Sequence, residues 1–567
     1  MNTFVDQVKA YHQRTKHQPQ RYAAGPDTLD WDAQPNPFRD WIGAPVLRLP
    51  LVADQLDTTW GQLCQLGGPG ACPPKPLNIE AIACLLELSF ALTAWKQYGP
   101  DRWALRANPS SGNLHPTEVY VLVQGVPGLR DGLYHYAPRE HALVLRAACA
   151  DRPDADRRAA PQLWIGLSSI QWREAWKYGE RAFRYCQLDA GHALGALRYA
   201  AAAMGWQART ADGLGHADLA HLMGLDRDAD FGLAEREEPE MLVRVGPGIL
   251  GALREPKPVY EAWFGQASRL DTHPMYRWPV IDDVVQATRR GALPDRTSAT
   301  PDESVPAPAQ GRVPAPACRA GELAATIIRG RRSAQHFDRR ATMPLDVFVR
   351  IMQALMPDAA TPWDAWAEPV RVHPIVFAHR IEGLAPGAYV LPRTPGGEAM
   401  LRAQLKAISD WQALDGLQDG LPDGLLQGLP LWRLVEHPGL AGTLRTLSCH
   451  QAIGSDACFA VSLVAAFAEP IAQDPSNYRS MLQEAGLIGQ VLYLQAEAEW
   501  FRGTGIGCYF DDAVHDLLGI DTPAMQVLYH FTVGVPMADQ RITTELPYSH
   551  LQAPLQASLT ATEGTSS

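Results

Sequence analysis

The sequence predicts an α+β chain made of two tandem domains, with helices packed around a central sheet in each. Three observations carry this. Helical and strand periodicities interleave along both halves. A proline-rich stretch divides them at residues 291–320. Three short patterns recur in the same order on either side of it, as duplication requires. The length of 567 residues exceeds the usual single-domain range, and a hydrophobic content of 46% supplies sizeable cores.

In chain order, residues 1–50 are polar and proline-rich and read as an extended arm draped over the first domain. Asn78–Tyr98 reads as a helix, because Asn78 can cap it and Ile82, Leu85, Leu86, Leu92 and Trp95 recur at helical spacing. Residues 119–123, 163–167 and 242–246 read as strands, and 181–204 as a long alanine-rich helix. Pro301, Pro306, Pro308, Pro314 and Pro316 favour an extended spacer. Beyond it, residues 345–356, 453–468 and 484–500 read as helices, and 370–377 and 528–534 as strands. The Leu/Gly-rich run 414–430 reads either as a lid over a pocket or as a disordered insertion. The expected boundaries are an arm 1–50, domains 51–285 and 321–550, a linker 286–320 and a disordered tail 551–567.

The recurring patterns are specific. Gly132-Leu-Tyr-His-Tyr-Ala-Pro-Arg139 echoes Gly387-Ala-Tyr-Val-Leu-Pro-Arg393. Leu219-Ala-His-Leu-Met-Gly-Leu225 echoes Val514-His-Asp-Leu-Leu-Gly-Ile520. Tyr199 and Trp206 repeat as Tyr493 and Trp500 at the same interval.

Composition excludes several classes. A net charge of −12 argues against a nucleic-acid partner. The first residues lack the basic start and apolar run of a signal peptide, and apolar windows such as 77–92 and 190–204 carry too many polar interruptions for a membrane span. Nine cysteines form no Cys-x-x-Cys pair and no Cys/His zinc spacing, so reduced thiols, no metal and a cytoplasmic location are expected.

Two distant segments read as halves of one site. Arg106-Ala-Asn-Pro109-Ser110-Ser111-Gly-Asn113-Leu-His-Pro116 is rich in small hydroxyl and amide groups that can line a flat polar heterocycle. Its prolines stiffen the loop and Gly112 allows close backbone approach, although a Ser/Asn/Pro turn capping a strand looks similar. Arg331-Arg332-Ser333, followed by Phe337-Asp338, suits a phosphate, because guanidinium binds phosphate oxygens as a fork. Gly503-Thr504-Gly505-Ile506-Gly507 is no dinucleotide fingerprint, since it follows a long helix instead of opening one. Lys177-Tyr178 lies among Trp172, Trp176, Phe183 and Tyr185, either as a pocket wall carrying a base or as an amphipathic surface pair. His192, His450 and Asp189 accompany no Gly-x-Ser-x-Gly elbow and read as structural.

Pro109–Pro116 resembles the Pro-Ser-Ser-x-Asn-x-Gln-Pro segment of the FMN-dependent nitroreductase superfamily, and Arg331-Arg332-Ser333 its phosphate-binding Arg-x-Ser signature. In that family a homodimer builds each flavin site from both subunits, whereas here each half of one chain carries one motif. The chain therefore resembles a fused tandem dimer of the SagB-type (azoline) dehydrogenase branch, which also has a Lys-Tyr pair ahead of a Leu-Asp-Ala-Gly-His segment like 188–192. The resemblance implies two nitroreductase-like domains, each with a central mixed, mainly antiparallel sheet, forming a pseudo-dimer. It implies an FMN site: Arg106, Pro109, Ser110, Ser111 and Asn113 at the ring, Arg331, Arg332 and Ser333 at the phosphate, and Gly503, Thr504 and Gly505 as a helix-to-strand glycine turn beside the flavin.

Arg541 is a further phosphate contact on this resemblance, or else a partner of Glu545. Lys177 or Tyr178 would take the proton while hydride leaves for the flavin. His115 departs from the family's glutamine. The first half has no Arg-x-Ser and the second no Pro-Ser-Ser-x-Asn, which implies one intact composite site and one decayed. The implied activity is hydride removal from a heteroatom-adjacent C–H of a small-molecule or modified-peptide substrate. The alternatives are an NAD(P)H-dependent nitroreductase or quinone reductase, and a non-catalytic flavin-binding scaffold.

Overall fold

The computed structural model describes residues 3–64, 72–150, 160–248, 255–291, 317–357, 361–405, 410–414, 428–520 and 523–551. Most of the spacer, the Leu/Gly-rich run and the tail lie outside them.

The chain opens with helix α1 (Phe4–Arg14), started by a capping box in which the Thr3 side chain accepts the Asp6 N–H and the Asp6 carboxylate accepts the Thr3 N–H. The expected extended arm is therefore partly helical, and it does not rest on the first half alone. Tyr11 donates to the Glu180 carbonyl at 2.6 Å, while His12 meets Tyr478 and Gln526 at 3.0 Å and Lys16 pairs with Asp512 at 2.7 Å.

Helix α2 (Ile79–Ser89) is capped by Asn78, whose Oδ1 accepts the Ala81 N–H at 2.8 Å. It ends nine residues earlier than its periodicity predicts, because Leu92–Tyr98 is a strand. Gly99 at φ +57° turns that strand back onto Asp101–Arg106, and Leu92 and Trp95 satisfy the helical period only by coincidence.

Two larger sheets, one per half, contain only antiparallel ladders among the described residues, in line with the mainly antiparallel sheets expected, though with no parallel pair in either. The first runs Tyr260–Trp263, Ala142–Cys149, Gly132–Ala137, Thr117–Gln124, Gln162–Ser169, Glu238–Pro247, Trp206–Thr210. The second runs Gln412–Ala413, Trp432–Glu436, Gly387–Val390, Val372–Ala378, Phe459–Ala466, Met525–Gly534, Arg502–Ile506. The echoed segments occupy matching places: Gly132–Ala137 pairs with the central strand Thr117–Gln124 of its sheet and Gly387–Val390 with Val372–Ala378 of the other, and the helices His216–Met223 and Asp511–Leu518 both end on a left-handed glycine, Gly224 and Gly519.

Two sequence expectations change in the second half. The helix expected over 453–468 is a short turn of helix Ile453–Asp456, then the strand Phe459–Ala466, then the helix Ala468–Gln473. That strand has neighbours on both edges and is buried on both faces, so it reads as a continuous apolar run that periodicity cannot tell from a buried helix. Gly503–Gly505, expected as a turn, lies inside the edge strand Arg502–Ile506.

Helix α3 (Gln171–Tyr178) leads into helix α4 (Ala182–Ala203), and the second half supplies its counterpart α5 (Asn477–Ala498), each of these two 22 residues long. α4 and α5 cross at glycines. A Cβ on Gly191 would lie 1.9 Å from the Gln483 carbonyl oxygen, and one on Gly486 2.0 Å from that of Leu188. One hydrophobic core runs through both halves across this crossing. Gly191→Ala is expected to cost about 3 kcal/mol or more, since backbone must move to admit the methyl. Gly396→Ala, with no neighbour within 4 Å, is the control and leaves the melting temperature unchanged or slightly raised. The halves also interlock at the end of the chain, where Thr543–Glu545 adds a third strand to the Leu92–Tyr98 and Asp101–Arg106 hairpin of the first half.

Candidate active site

A cavity of about 660 Å³ opens between the halves, beside that hairpin. It gathers the Arg106–His115 loop from the first half and Arg331–Gln335 and Thr504–Cys508 from the second.

One end is cationic. Arg331 is buried and bridges the halves: its Nε donates to the Ala107 carbonyl at 3.0 Å and one Nη to that of Arg106 at 3.2 Å. Its other Nη is buried without a partner. Arg332 donates to the carbonyls of Arg329, Arg331 and Thr93, and no carboxylate is among its hydrogen-bond partners. Burial and then the neighbouring Arg331 and Arg502 push its pKa down to about 10. Lys96, from the hairpin, is held below the usual lysine range by burial and by Arg332 and Arg502. Cations that depress one another inside a cavity describe a site for an anion. Sequence reading missed Lys96, which it placed in a helix, and Arg502, which sits one residue before the glycine run.

The other end is a tight polar loop. Gly112, Asn113 and His115 all take positive φ, at +57°, +60° and +53°. The Ser111 N–H and Oγ both donate to the Asp189 carboxylate, at 3.0 and 2.9 Å. Asn113 donates through Nδ2 to the Ala104 carbonyl at 2.9 Å, and its Oδ1 lies 3.1 Å from His115 Nε2. Ser110 Oγ accepts the His115 N–H at 2.8 Å. Pro109 and Arg106 line the cavity as well, Arg106 with a buried Nε that has no partner. The side chains of Ser111 and Asn113 are thus committed to the protein. Asp189, read from sequence as structural, anchors this loop and lines the cavity, and burial pushes its pKa up to about 7.

Between the two ends, Ser333 Oγ and Tyr493 Oη are 2.7 Å apart, and Tyr493 Oη accepts the Gly505 N–H at 3.2 Å. Thr504 Oγ1 donates to the Ala334 carbonyl at 2.7 Å. A Cβ on Gly505 would strike the Tyr529 hydroxyl at 1.7 Å, so only glycine fits there.

Lys177 and Tyr178 close α3 against the loop. A Cβ on Gly112 would lie 2.5 Å from Tyr178 Oη and 3.2 Å from Lys177 Nζ. The Lys177 ammonium is 5.3 Å from the Trp31 ring centroid, and burial lowers its pKa. Burial, then Glu174, raises that of Tyr178 well above the ordinary phenol range, so Tyr178 stays protonated near neutrality.

Arg541 stands apart. Its side chain is 70% exposed, pairs with Asp539 at 2.7 Å and lines, with Arg339 and Arg340, an open groove that adjoins the cavity and shares Met537, Ala538 and Asp539 with it. Glu545, the partner that sequence offered it, pairs with Arg102 at 2.7 Å. His192, read from sequence as structural, contacts Gln490 and Tyr529 and also lines the cavity.

Tyr199, the counterpart of Tyr493, stacks on Trp60 with ring centroids 5.7 Å apart, and Asp364 is gripped by Arg198 through two bonds of 2.8 Å.

Residues 75–246 match the model of the Nitroreductase family. Over 125 residues the chain is 27% identical to a protein of Methanocaldococcus jannaschii named as a nitroreductase, a match that covers 21% of this chain and 60% of that relative's length. The chain thus spans less than two thirds of that relative. The fold is similar to the crystal structure of a nitroreductase from Anabaena variabilis, with a TM-score of 0.63 and 21% identity over 94% of this chain and 99% of that one. This second likeness extends the nitroreductase-like fold over both halves. No helix among the described residues is long and apolar enough to cross a membrane.

Proposed function

We propose, from the premise that residues 75–246 form a nitroreductase-family domain, that the chain is an FMN-dependent oxidoreductase with one composite site. It would remove hydride from a heteroatom-adjacent C–H, as SagB-type azoline dehydrogenases do, on a small-molecule or modified-peptide substrate. One observation carries the reading: a cavity between the halves gathers Lys96, Arg331, Arg332 and Arg502 at one end, with Glu497 offsetting only part of their charge, and a strained polar loop at the other. We assign 51–285 and 321–550 as the two halves of this pseudo-dimer, with 1–50 as arm, 286–320 as linker and 551–567 as tail.

The chain's residues fit FMN by the orphaned Nη of Arg331 and by Arg332, whose hydrogen-bond partners are neutral carbonyls, both suited to phosphate oxygens. FMN would supply two-electron redox chemistry that no side chain offers. Lys96, Arg331, Arg332 and Arg502 would hold the phosphate end, with Ser333 beside them. The Ser110–Asn113 loop would edge the ring, and the bare backbone of Gly503–Gly505 would let it approach. Lys177, whose burial favours the neutral amine, would take the substrate proton, while Tyr178 positions the loop.

The full-length protein is expected to be yellow and to release a single FMN per chain. Two per chain would overturn the single composite site. None, even after adding FMN, would overturn the flavoprotein reading and leave a scaffold. A second reading, NAD(P)H-dependent reduction of nitro or quinone compounds, draws on the name of the M. jannaschii relative. Anaerobic bleaching of the yellow protein separates the two: a thiazoline peptide bleaches it under the first reading, NAD(P)H alone under the second.

A further inference from the structure

We propose that Cys449 and Cys508 form a thiol–disulfide exchange site on the cavity wall that takes small organic disulfides, Cys508 attacking and Cys449 resolving. Of the other cysteines, Cys72, Cys84, Cys149, Cys186 and Cys458 are buried, Cys64 is half-buried and Cys318 is exposed. Cys449 and Cys508 are both partly exposed, Cys508 lines the cavity, and their thiols interact directly. The fold holds the pair in place. Cys449 sits at φ +52° just past the helix Leu440–Leu447, and Cys508 just past the edge strand Arg502–Ile506. Gln451 Nε2 ties the two segments by donating to the Cys508 carbonyl at 3.3 Å.

The surroundings assign the roles. His17 Nδ1 accepts the Ala23 N–H at 2.9 Å, so the ring proton sits on Nε2 and the ring offers a donor to the Cys508 sulfur. The Cys449 thiol is a second donor to that sulfur, and the Arg181 charge adds to it. Together, Cys449 foremost, they bring the Cys508 pKa down to about 5, while Cys449 is pushed up. Cys508, which lines the cavity, meets an entering disulfide first and attacks it, and Cys449, which is not among the lining residues, resolves the product.

The chemistry balances without another reagent. The Cys508 thiolate attacks R–S–S–R, forming a Cys508–S–S–R bond and releasing R–S⁻, which takes a proton from solvent. Cys449, losing its proton to solvent, then attacks the Cys508 sulfur, forming the Cys449–Cys508 disulfide and releasing the second R–S⁻, which is protonated in turn. Two electrons pass from the dithiol to the disulfide, and a dithiol reverses the sequence.

The test uses reduced full-length protein and oxidised glutathione at neutral pH, with peptides mapped under non-reducing conditions. The expected product is a Cys449–Cys508 disulfide in the wild type, and a lasting glutathione adduct on Cys508 in Cys449→Ser. Iodoacetamide is expected to label Cys508 about tenfold faster than exposed Cys318, an advantage that His17→Ala reduces. Modification of Cys318 with Cys449 and Cys508 left free would overturn the proposal. So would a wild-type adduct on Cys508 that Cys449 never resolves. If a variant fails to fold, the wild-type map and labelling rates decide alone.

Discussion

Replacing Arg332 by alanine is expected to weaken FMN binding by about 1.5–3 kcal/mol, the worth of a hydrogen bond to a charged group, or roughly ten- to a hundredfold in Kd. The effect is large because no carboxylate hydrogen-bonds to this guanidinium: its partners are the carbonyls of Arg329, Arg331 and Thr93. Its charge is therefore available to an anion, and an anion would also relieve its repulsion with Arg331 and Arg502. Arg332→Lys restores charge but not the fork, and recovers only part of the affinity. Arg541→Ala is the control, since that side chain is exposed and already paired with Asp539. Flavin titration of the apoprotein, with melting curves to confirm folding, measures all three. Equal affinities for wild type and Arg332→Ala would sink the phosphate assignment. A loss in Arg541→Ala as large as in Arg332→Ala would relocate it.

The two segments that meet in the cavity were legible in sequence because their chemistry is local. Pro109–Pro116 carries the glycine and asparagine that positive φ favours, and Arg331-Arg332-Ser333 packs its donors into adjacent residues. Lys96 and Arg502 were not legible, because each becomes part of the cationic end only through strand pairing: Lys96 opposite Thr544, Arg502 opposite Gly534. The part Asp189 plays was not legible for a related reason. On sequence it is one acid in an alanine-rich helix, and its hold on Ser111, 78 residues away, is a product of packing. The same cause lies behind the misread segments. Leu92–Tyr98 and Phe459–Ala466 are strands by virtue of their neighbours, whereas α4 and α5 are long enough to declare themselves. The repeat was legible because glycine and tyrosine positions recur in both halves, whereas the stacking of Trp60 on Tyr199 is a product of packing that no repeat pattern displays.

Lys177→Ala is expected to lower kcat by about 10²- to 10⁴-fold, the usual contribution of a positioned base, with little change in bound FMN. The sign of the pH dependence follows from burial. Desolvation lowers the Lys177 pKa, opposed by the nearby Glu174, so the neutral amine becomes available at lower pH than in free lysine. Wild-type kcat should then rise with pH through that depressed value and level off above it. In Lys177→Ala this rising limb disappears, and small primary amines added to the solution restore part of the rate. Tyr178→Phe separates the two candidates. Tyr178 holds its proton far above neutrality, so its loss should disturb the Ser111-Gly112 loop and raise KM while leaving the pH limb in place. A Lys177→Ala enzyme that retains the limb, or a Tyr178→Phe enzyme that loses it, would assign the proton to Tyr178 instead. A Lys177→Ala rate within a few-fold of wild type would remove both residues from proton transfer and leave Asp189, with its pKa near 7 and its place on the cavity wall, as the remaining acid–base group beside the loop.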